Sequence, residues 1–194
     1  MTEERAGLLI LSFADADAFD QWLATQSENA PGIWLKLAKA HTGIASATKA
    51  EAIDAALCHG WIDGQLDTYD DKHWLVRLTP RKRGSKWSQL NRSRATELTK
   101  ANRMRPGGLA QVDLAKADGR WDAAYAPASR AEVPADLQAA LDKNREAAAF
   151  FASLMGTNRY AILYRIGSVK KSETRARKIG QFIAMLERHE TLHG

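Results

Sequence analysis

Two runs of alternating residues, Trp61 to Asp67 and His73 to Thr79, flank a short acidic break at Tyr69-Asp70-Asp71. A period of two sends successive side chains to opposite faces, so such runs demand a paired sheet. On the first run Trp61, Asp63, Gln65 and Asp67 share one face; Ile62, Gly64 and Leu66 share the other. On the second, Trp74, Val76 and Leu78 share a face, and His73, Leu75, Arg77 and Thr79 share its reverse. Directly opposed residues of an antiparallel pair point the same way. The apolar sets therefore meet only when partner numbers sum to an even value, as in Leu66 with Trp74 or Ile62 with Leu78. That register leaves a three-residue loop between Thr68 and Lys72, with Asp71 left-handed, and sets Asp63 opposite Arg77. A lone hairpin is marginal in water, so the rest of the chain must cover it.

Upstream, Leu8 to Phe13 reads as a short buried strand. Ile33 to Lys39 reads as another, with Ile33, Leu35 and Leu37 on one side and Trp34 and Lys36 on the other. Between them Asp15 or Asp17 caps a helix carrying Phe19, Trp22 and Leu23. Ser46 or Thr48 starts the next helix, which runs through Ile53 and Leu57 and stops at Gly60.

Downstream of the hairpin, Ser85 is the expected N-cap of a helix from Lys86 to Ala101, ended by Pro106-Gly107-Gly108. A short helix from Leu109 to Ala117 follows. The stretch from Ala123 to Pro134 has linker composition. Beyond it, Leu137, Leu141, Ala148, Phe151 and Leu154 mark one helix from Ala135 to Met155. Tyr160, Leu163, Tyr164 and Ile166 mark a second, and Ile179, Phe182, Ile183 and Leu186 a third. The expected class is α+β: a small mixed β-sheet with a β-hairpin and flanking helices over residues 1–126, then an all-α region over residues 127–194.

The net charge of +5 is unevenly placed. From Arg77 to Arg105 the chain carries ten Lys or Arg against Glu97 alone, while elsewhere eighteen cations face twenty-two carboxylates. A positive charge so localised is the form an anion-binding surface takes. Lys170, Lys171, Arg175, Arg177 and Lys178 make a second cluster at the start of the last helix. One cysteine, Cys58, permits no internal disulfide and suits a reducing compartment. The first residues are acidic where a secretory signal would be basic, and no apolar run is long enough to cross a bilayer. A soluble, cytoplasmic protein with no membrane insertion is the expectation.

Several segments together carry a resemblance. Gly60-Trp61-Ile62-Asp63-Gly64, Leu78-Thr79-Pro80-Arg81-Lys82, Ser85-Lys86-Trp87-Ser88 and Asn91 resemble the YdeI/OmpD-associated, or bacteriocin-protection, family. Met104-Arg105-Pro106-Gly107-Gly108, Gly119-Arg120-Trp121 and the run from Glu173 to Ile179 extend the likeness, which covers about Trp34 to Leu186. The resemblance implies a soluble bacterial protein with a mixed α/β front, a helical tail and a link to bacteriocin or envelope stress. It brings no catalytic residue.

The residues themselves supply no reaction signature. Cys58 and His59 are neighbours on a helix and point about 100° apart, too divergent for a nucleophile–base pair. Cys58, His59, Asp63 and His73 match no zinc spacing, so neither a metal nor another cofactor is expected. The leading expectation is a non-enzymatic protein that binds an anionic small molecule or an acidic protein partner. Arg81, Lys82 and Arg83 would approach the free N–H groups of the Ser85 helix, where an anion is already favoured. The residues assigned to that site are Trp61, Asp63, Arg77, Arg81, Lys82, Ser85, Trp87, Asn91 and Arg175. The competing reading is an enzyme with Asp63 and His59 or His73 as acid–base groups in a cleft between sheet and helical tail. Nucleic-acid binding, with Trp87 stacking on a base, is less favoured, because no helix-turn-helix, zinc-finger or RNP-type sequence is present and the rest of the chain is net acidic. A plain adaptor with an exposed apolar patch is the remaining alternative.

Overall fold

The computed structural model describes residues 3–169 and 171–193, and the chain divides into two compact units, one ending at Ala124 and the other beginning at Tyr125. Lys170, counted above in the second basic cluster, lies outside the described residues. In the first unit come β1 (Glu4–Arg5), β2 (Leu8–Leu11), α1 (Ala16–Ala24), β3 (Ile33–Ala38), α2 (Lys49–Cys58), β4 (Trp61–Thr68), β5 (His73–Pro80), α3 (Gln89–Lys100) and α4 (Pro106–Ala117). The second holds α5 (Ala135–Leu141), α6 (Arg145–Ser153), α7 (Gly156–Gly167) and α8 (Ser172–Glu187). The fold is α+β, with a mixed sheet and flanking helices in the first unit and helices alone in the second.

The five strands are ordered β1-β2-β3-β5-β4. Only β2 and β3 are parallel, and α1 makes the crossover that a parallel pair requires. Strand β1 has no apolar pattern to announce it. It pairs with β2 through a two-residue turn in which Ala6 and Gly7 both take positive φ, the geometry that matches strand twist. Ile33, Leu35 and Leu37 of β3 and Val76 and Leu78 of β5 pack against α1 and α2. Trp34 and Leu75 face the other way and pack with Leu8. The alternation read from β3 is therefore the alternation observed.

Helix α2 is the spine of this unit. Thr48 caps it through a reciprocal bond with Glu51, and that bonding to the Thr48 backbone holds the Glu51 carboxyl below its usual range. Six of its ten residues are buried on two faces. Ala52, Ala55 and Ala56 meet the sheet layer; Ile53, Leu57 and Cys58 meet Trp87, Leu98 and Val112 of the α3–α4 layer. Small residues on one side and branched ones on the other let α2 sit close to the sheet while filling the wider gap behind it.

The hairpin keeps the even-sum register near the turn, shifted by two from Leu66 with Trp74, and loses it further along. Near the turn Leu66 pairs with Val76 and Thr68 with Trp74, but beyond it Asp63 pairs with Leu78 and Trp61 with Pro80. Gly64 and Gln65 together stand against Arg77, which is a β-bulge. The extra residue changes the facing of everything before it. Trp61 thereby joins Val76 and Leu78 in the core, 3% exposed, with its ring edge-on to Trp22 at 5.8 Å. Asp63 goes to the same face and cannot meet Arg77, which is exposed on the reverse side opposite Trp34. The turn is also longer than expected: Asp70, not a left-handed Asp71, organises it by accepting from the Lys72 and His73 amides.

Ser85 caps no helix. Its hydroxyl accepts from Lys82 N at 2.9 Å while its own amide donates to Lys82 O at 2.8 Å, closing a tight turn. Ser88 is the N-cap of α3, accepting from Asn91 N at 3.0 Å. Both serines satisfy the composition rule for a cap, and the geometry of the turn selects the later one.

In the second unit, the expected helix from Ala135 to Met155 is two. Helix α5 ends at Leu141, and Asn144 caps α6 by accepting from Ala147 N. The tail thus has four α-helices among the described residues, with Leu137, Leu141, Phe151, Leu163, Ile166, Phe182 and Leu186 in one core. Arg175 is committed inside this unit, donating to both oxygens of Asp136 and to Ile166 O.

Candidate functional site

A cleft of about 590 Å³ lies wholly in the first unit. Its walls come from the end of α1, the α2–β4 junction, the end of β5 and the start of α4. A void of that size is in the range that holds small ligands.

Glycine sets the geometry where α4 meets α2. Gly60 turns the chain out of α2 at φ +79° and lets β4 begin. A Cβ on Gly60 would stand 2.7 Å from Gly107 O. One on Gly108 would stand 2.7 Å from Leu57 O and closer still to Cys58 O. The start of α4 therefore lies backbone to backbone on the end of α2, and Arg105 N donates to Cys58 O at 3.0 Å. Pro106 occupies the first helical position, where its missing N–H is no loss. Helix α4 has no side-chain cap and no acidic residue in its first turn, and that turn lines the cleft.

Three cationic or titratable side chains stand at this junction. His59, the residue after α2, has a side chain only 9% exposed and a ring nitrogen, Nε2, at 2.8 Å from Asp20 Oδ1. Arg105 Nη2 reaches the other oxygen of Asp20 at 3.3 Å. Arg81 follows the last residue of β5, and its amide donates to Gly60 O at 2.9 Å. Its guanidinium lies 3.7 Å from the centroid of the Trp87 ring and donates to Lys86 O, and the residue is 6% exposed. Stacking on Trp fixes the plane of the guanidinium before any ligand arrives. The turn behind it is anchored in turn: Arg120 donates to Ser85 O and is gripped by Asp118.

The residues singled out from sequence are thus scattered. Trp61 and Arg81 line the cleft. Trp87 is 1% exposed, lies under the Arg81 guanidinium and meets Trp121 edge-on. Asp63 and Asn91 pair with each other, Asn91 donating to Asp63 Oδ1 at 3.2 Å, in a largely buried position. Lys82 is exposed on the turn, Ser85 closes that turn, Arg77 lies on the outer sheet face and Arg175 is held by Asp136 in the second unit. Of the acid–base candidates, His59 is in the cleft, but its carboxylate partner is Asp20 and not Asp63. His73 is bound to Asp70 at the hairpin turn. Cys58 is buried against the α3–α4 layer, and desolvation pushes its thiol up.

Asp20, Arg105 and Gln111 were not singled out. Asp20 is one of several polar positions on α1, and only the fold brings it across 39 residues to His59. The run from Met104 to Gly108 carried a signal, since two glycines at a helix start after Pro mark a close backbone approach. It reads as a helix stop when the neighbour is unknown.

Residues 11–111 of the 194 match the family model described as Domain of unknown function (DUF8412). Residues 130–189 match the model described as Bacteriocin-protection, YdeI or OmpD-Associated. No curated protein and no solved structure matches the chain. The cleft falls entirely within the first of these matched segments, and the YdeI/OmpD-associated match lies entirely within the second unit.

Proposed function

This chain belongs to the family described as Domain of unknown function (DUF8412) and carries a YdeI/OmpD-associated, bacteriocin-protection segment after it, and from that premise we propose that its first unit binds a small anionic ligand in the α2–α4 cleft. The ligand's carboxylate or phosphate lies against Arg81, with Arg105 and the open end of α4 completing its surroundings. The observation that carries this reading is the buried Arg81 guanidinium, held flat on Trp87 and lining the cleft. A planar fork with a fixed orientation is suited to two-point recognition of carboxylate or phosphate, and little side-chain entropy remains to be lost on binding. The anion site expected at the mouth of α3 is thereby moved to the mouth of α4, with Arg81 common to both. Lys82 and Arg83, exposed on the turn, steer the ligand and do not hold it. We assign the protein a binding role in the cytoplasm, in the setting of bacteriocin protection that the second matched segment names.

The His59–Asp20 pair favours a second reading, in which an imidazole oriented by a carboxylate moves a proton on the bound molecule. Turnover of a bound ligand that is lost in His59→Gln while binding persists would establish it.

Titration of isotope-labelled protein with inorganic phosphate and with acetate tests the main reading. The expected result is a shift of the Trp61 indole signal and the Gly107 and Gly108 amides, weakened as salt rises. Arg105→Ala removes one charge-assisted bond and should weaken binding roughly tenfold or more, whereas Lys82→Ala changes it little. Shifts confined to residues 82–86, or equal affinity in Arg105→Ala, would refute it.

A further inference from the structure

The sheet of the first unit is curled. Its edge strands, β1 and β4, stand four places apart in the sheet order, which in a flat sheet would separate them by about 19 Å. Yet Arg5 of β1 meets Asp67 of β4 at 2.6 Å and donates to Thr68 O at 3.2 Å, and the Tyr69 hydroxyl donates to Glu3 at 2.6 Å. The Arg5 guanidinium stands 5.8 Å from the Trp34 ring on its way across, so the face carrying Trp34 is the concave one. Leu8, Ile10, Trp34, Tyr69 and Leu75 pack together there. Lys36 and Ala38 follow Trp34 on the same face of β3, and His73 joins them because it is paired with Ala38.

Lys36 and His73 both border Tyr69, the ammonium at 4.8 Å from its ring and the imidazole edge-on at 6.3 Å. Together with Ser12, Ala38, Ile44 and Ser46 they line a cavity of about 270 Å³ that shares no residue with the α2–α4 cleft. The mouth of a curled sheet is a common place for a small ligand, and this one is too small for a large one. The His73 ring is fixed, since Nδ1 lies 3.0 and 3.1 Å from the two oxygens of Asp70, which leaves Nε2 as its remaining polar atom. Lys36 enters none of the ion pairs formed among the described residues, and no lining residue among them is acidic. Ile44, 41% exposed, adds an apolar wall. A nucleophile–base pair is not formed: Ser12 follows β2 and His73 lies on β5, about 10 Å away across β3, and the Ser46 hydroxyl donates to Ala47 O.

We propose that this mouth is a second binding site, separate from the α2–α4 cleft, and that it takes a small carboxylate with a short hydrocarbon chain. The carboxylate lies between Lys36 and His73, and the chain lies against Ile44 and Ala38. The ammonium supplies the charge, the fixed imidazole the direction, and the isoleucine the preference for a chain over a bare ion.

The test is NMR titration of the full chain with acetate, butyrate and inorganic phosphate at fixed pH and ionic strength, followed at the Ile44 methyl groups and the His73 ring. Butyrate should shift both, binding about fivefold tighter than acetate as its two further methylenes are partly removed from water. Lys36→Met keeps the apolar stem, removes the charge and should weaken butyrate roughly three- to fivefold. Ile44→Thr, at an exposed position, should bring butyrate and acetate close to equal affinity. Unchanged butyrate binding in Lys36→Met, butyrate no tighter than acetate, phosphate preferred to both, or no shift at Ile44 and His73 would each overturn the proposal. The Trp61, Gly107 and Gly108 signals report the α2–α4 cleft separately, so failure at one site is told apart from failure at the other.

Discussion

Replacing Gly108 with alanine tests the packing on which the cleft depends. The new Cβ would lie 2.7 Å from Leu57 O and 2.8 Å from Cys58 C, with Cys58 O nearer again, whereas real Cβ contacts essentially never fall under 3.0 Å. All of these are backbone atoms of a buried helix end and cannot rotate away. Helix α4 must therefore back off α2, which loosens Val112 and Ala115 from Leu57 and Cys58 and stretches the Arg105 N to Cys58 O bond. Overpacking of this kind costs about 1–3 kcal/mol and a weakened hydrogen bond about 1 more. The helix propensity gained by alanine returns at most about 1 kcal/mol, less at the first turn than in mid-helix. The net loss is about 2–3 kcal/mol, or roughly 6–12 °C in Tm for a unit of this size. All six tryptophans lie between Trp22 and Trp121, so their fluorescence reports on the first unit alone during urea unfolding. Gly180→Ala supplies the opposite sign. It is exposed in α8 with nothing within 4 Å of its would-be Cβ, and should stabilise the second unit by about 0.5–1 kcal/mol, read by circular dichroism. A Gly108→Ala protein that unfolds at the wild-type urea concentration would refute the close approach of α4 to α2.

Three further outcomes follow from local contacts. Ser88→Ala should destabilise the first unit by about 1 kcal/mol as a lost N-cap, and Ser85→Ala by a few tenths; urea midpoints in the reverse order would return the start of α3 to Ser85. Cys58, buried and with its thiol pushed up by desolvation, should react with a disulfide reagent at pH 8 only as fast as the fold opens, and rapidly in denaturant; immediate reaction in buffer would contradict its burial. The Arg175 bonds hold the Asp136 carboxyl below its usual range, so the stabilisation they give is present above the unfolded value, about 3.9, and is lost as pH falls through the folded one. Asp136→Asn should accordingly unfold more easily at pH 7, with a deficit that shrinks as the pH falls towards 2, in the helical signal of the second unit. An equal deficit at both values would assign the effect to packing.

What the sequence made legible divides along the range of the interactions. Period-two and helical patterns are local, and they placed the sheet, the burial of β3 and the stripes of the tail. A one-residue insertion in a ladder is also local in sequence, but its consequence is not. Gly64 could stand in a regular strand or at a bulge, and the bulge is the arrangement that puts Trp61 in the core beside Trp22. Choosing between Ser85 and Ser88 as the cap likewise depended on a distant group, because Arg120 holds the Ser85 carbonyl in the turn and so delays the helix.

The same reasoning explains why the surroundings of the basic run are not legible in the sequence. A guanidinium in solvent and one stacked on a buried indole have identical sequence signatures, Arg81 and Trp87 being six positions apart in either case. The stack forms because Gly60 O takes the Arg81 amide and the Lys82–Ser85 turn reverses the chain, returning Trp87 beneath Arg81. Gly60 thus has two tasks, ending α2 and receiving Arg81, and its φ of +79° serves both. Any side chain there would strain the turn and strike Gly107 O, so the wall holding Arg81 and the wall holding Arg105 are set by one residue. The cationic end of the cleft is accordingly a property of the α2–α4 contact before it is a property of net charge, and adding lysines to the turn would not create it.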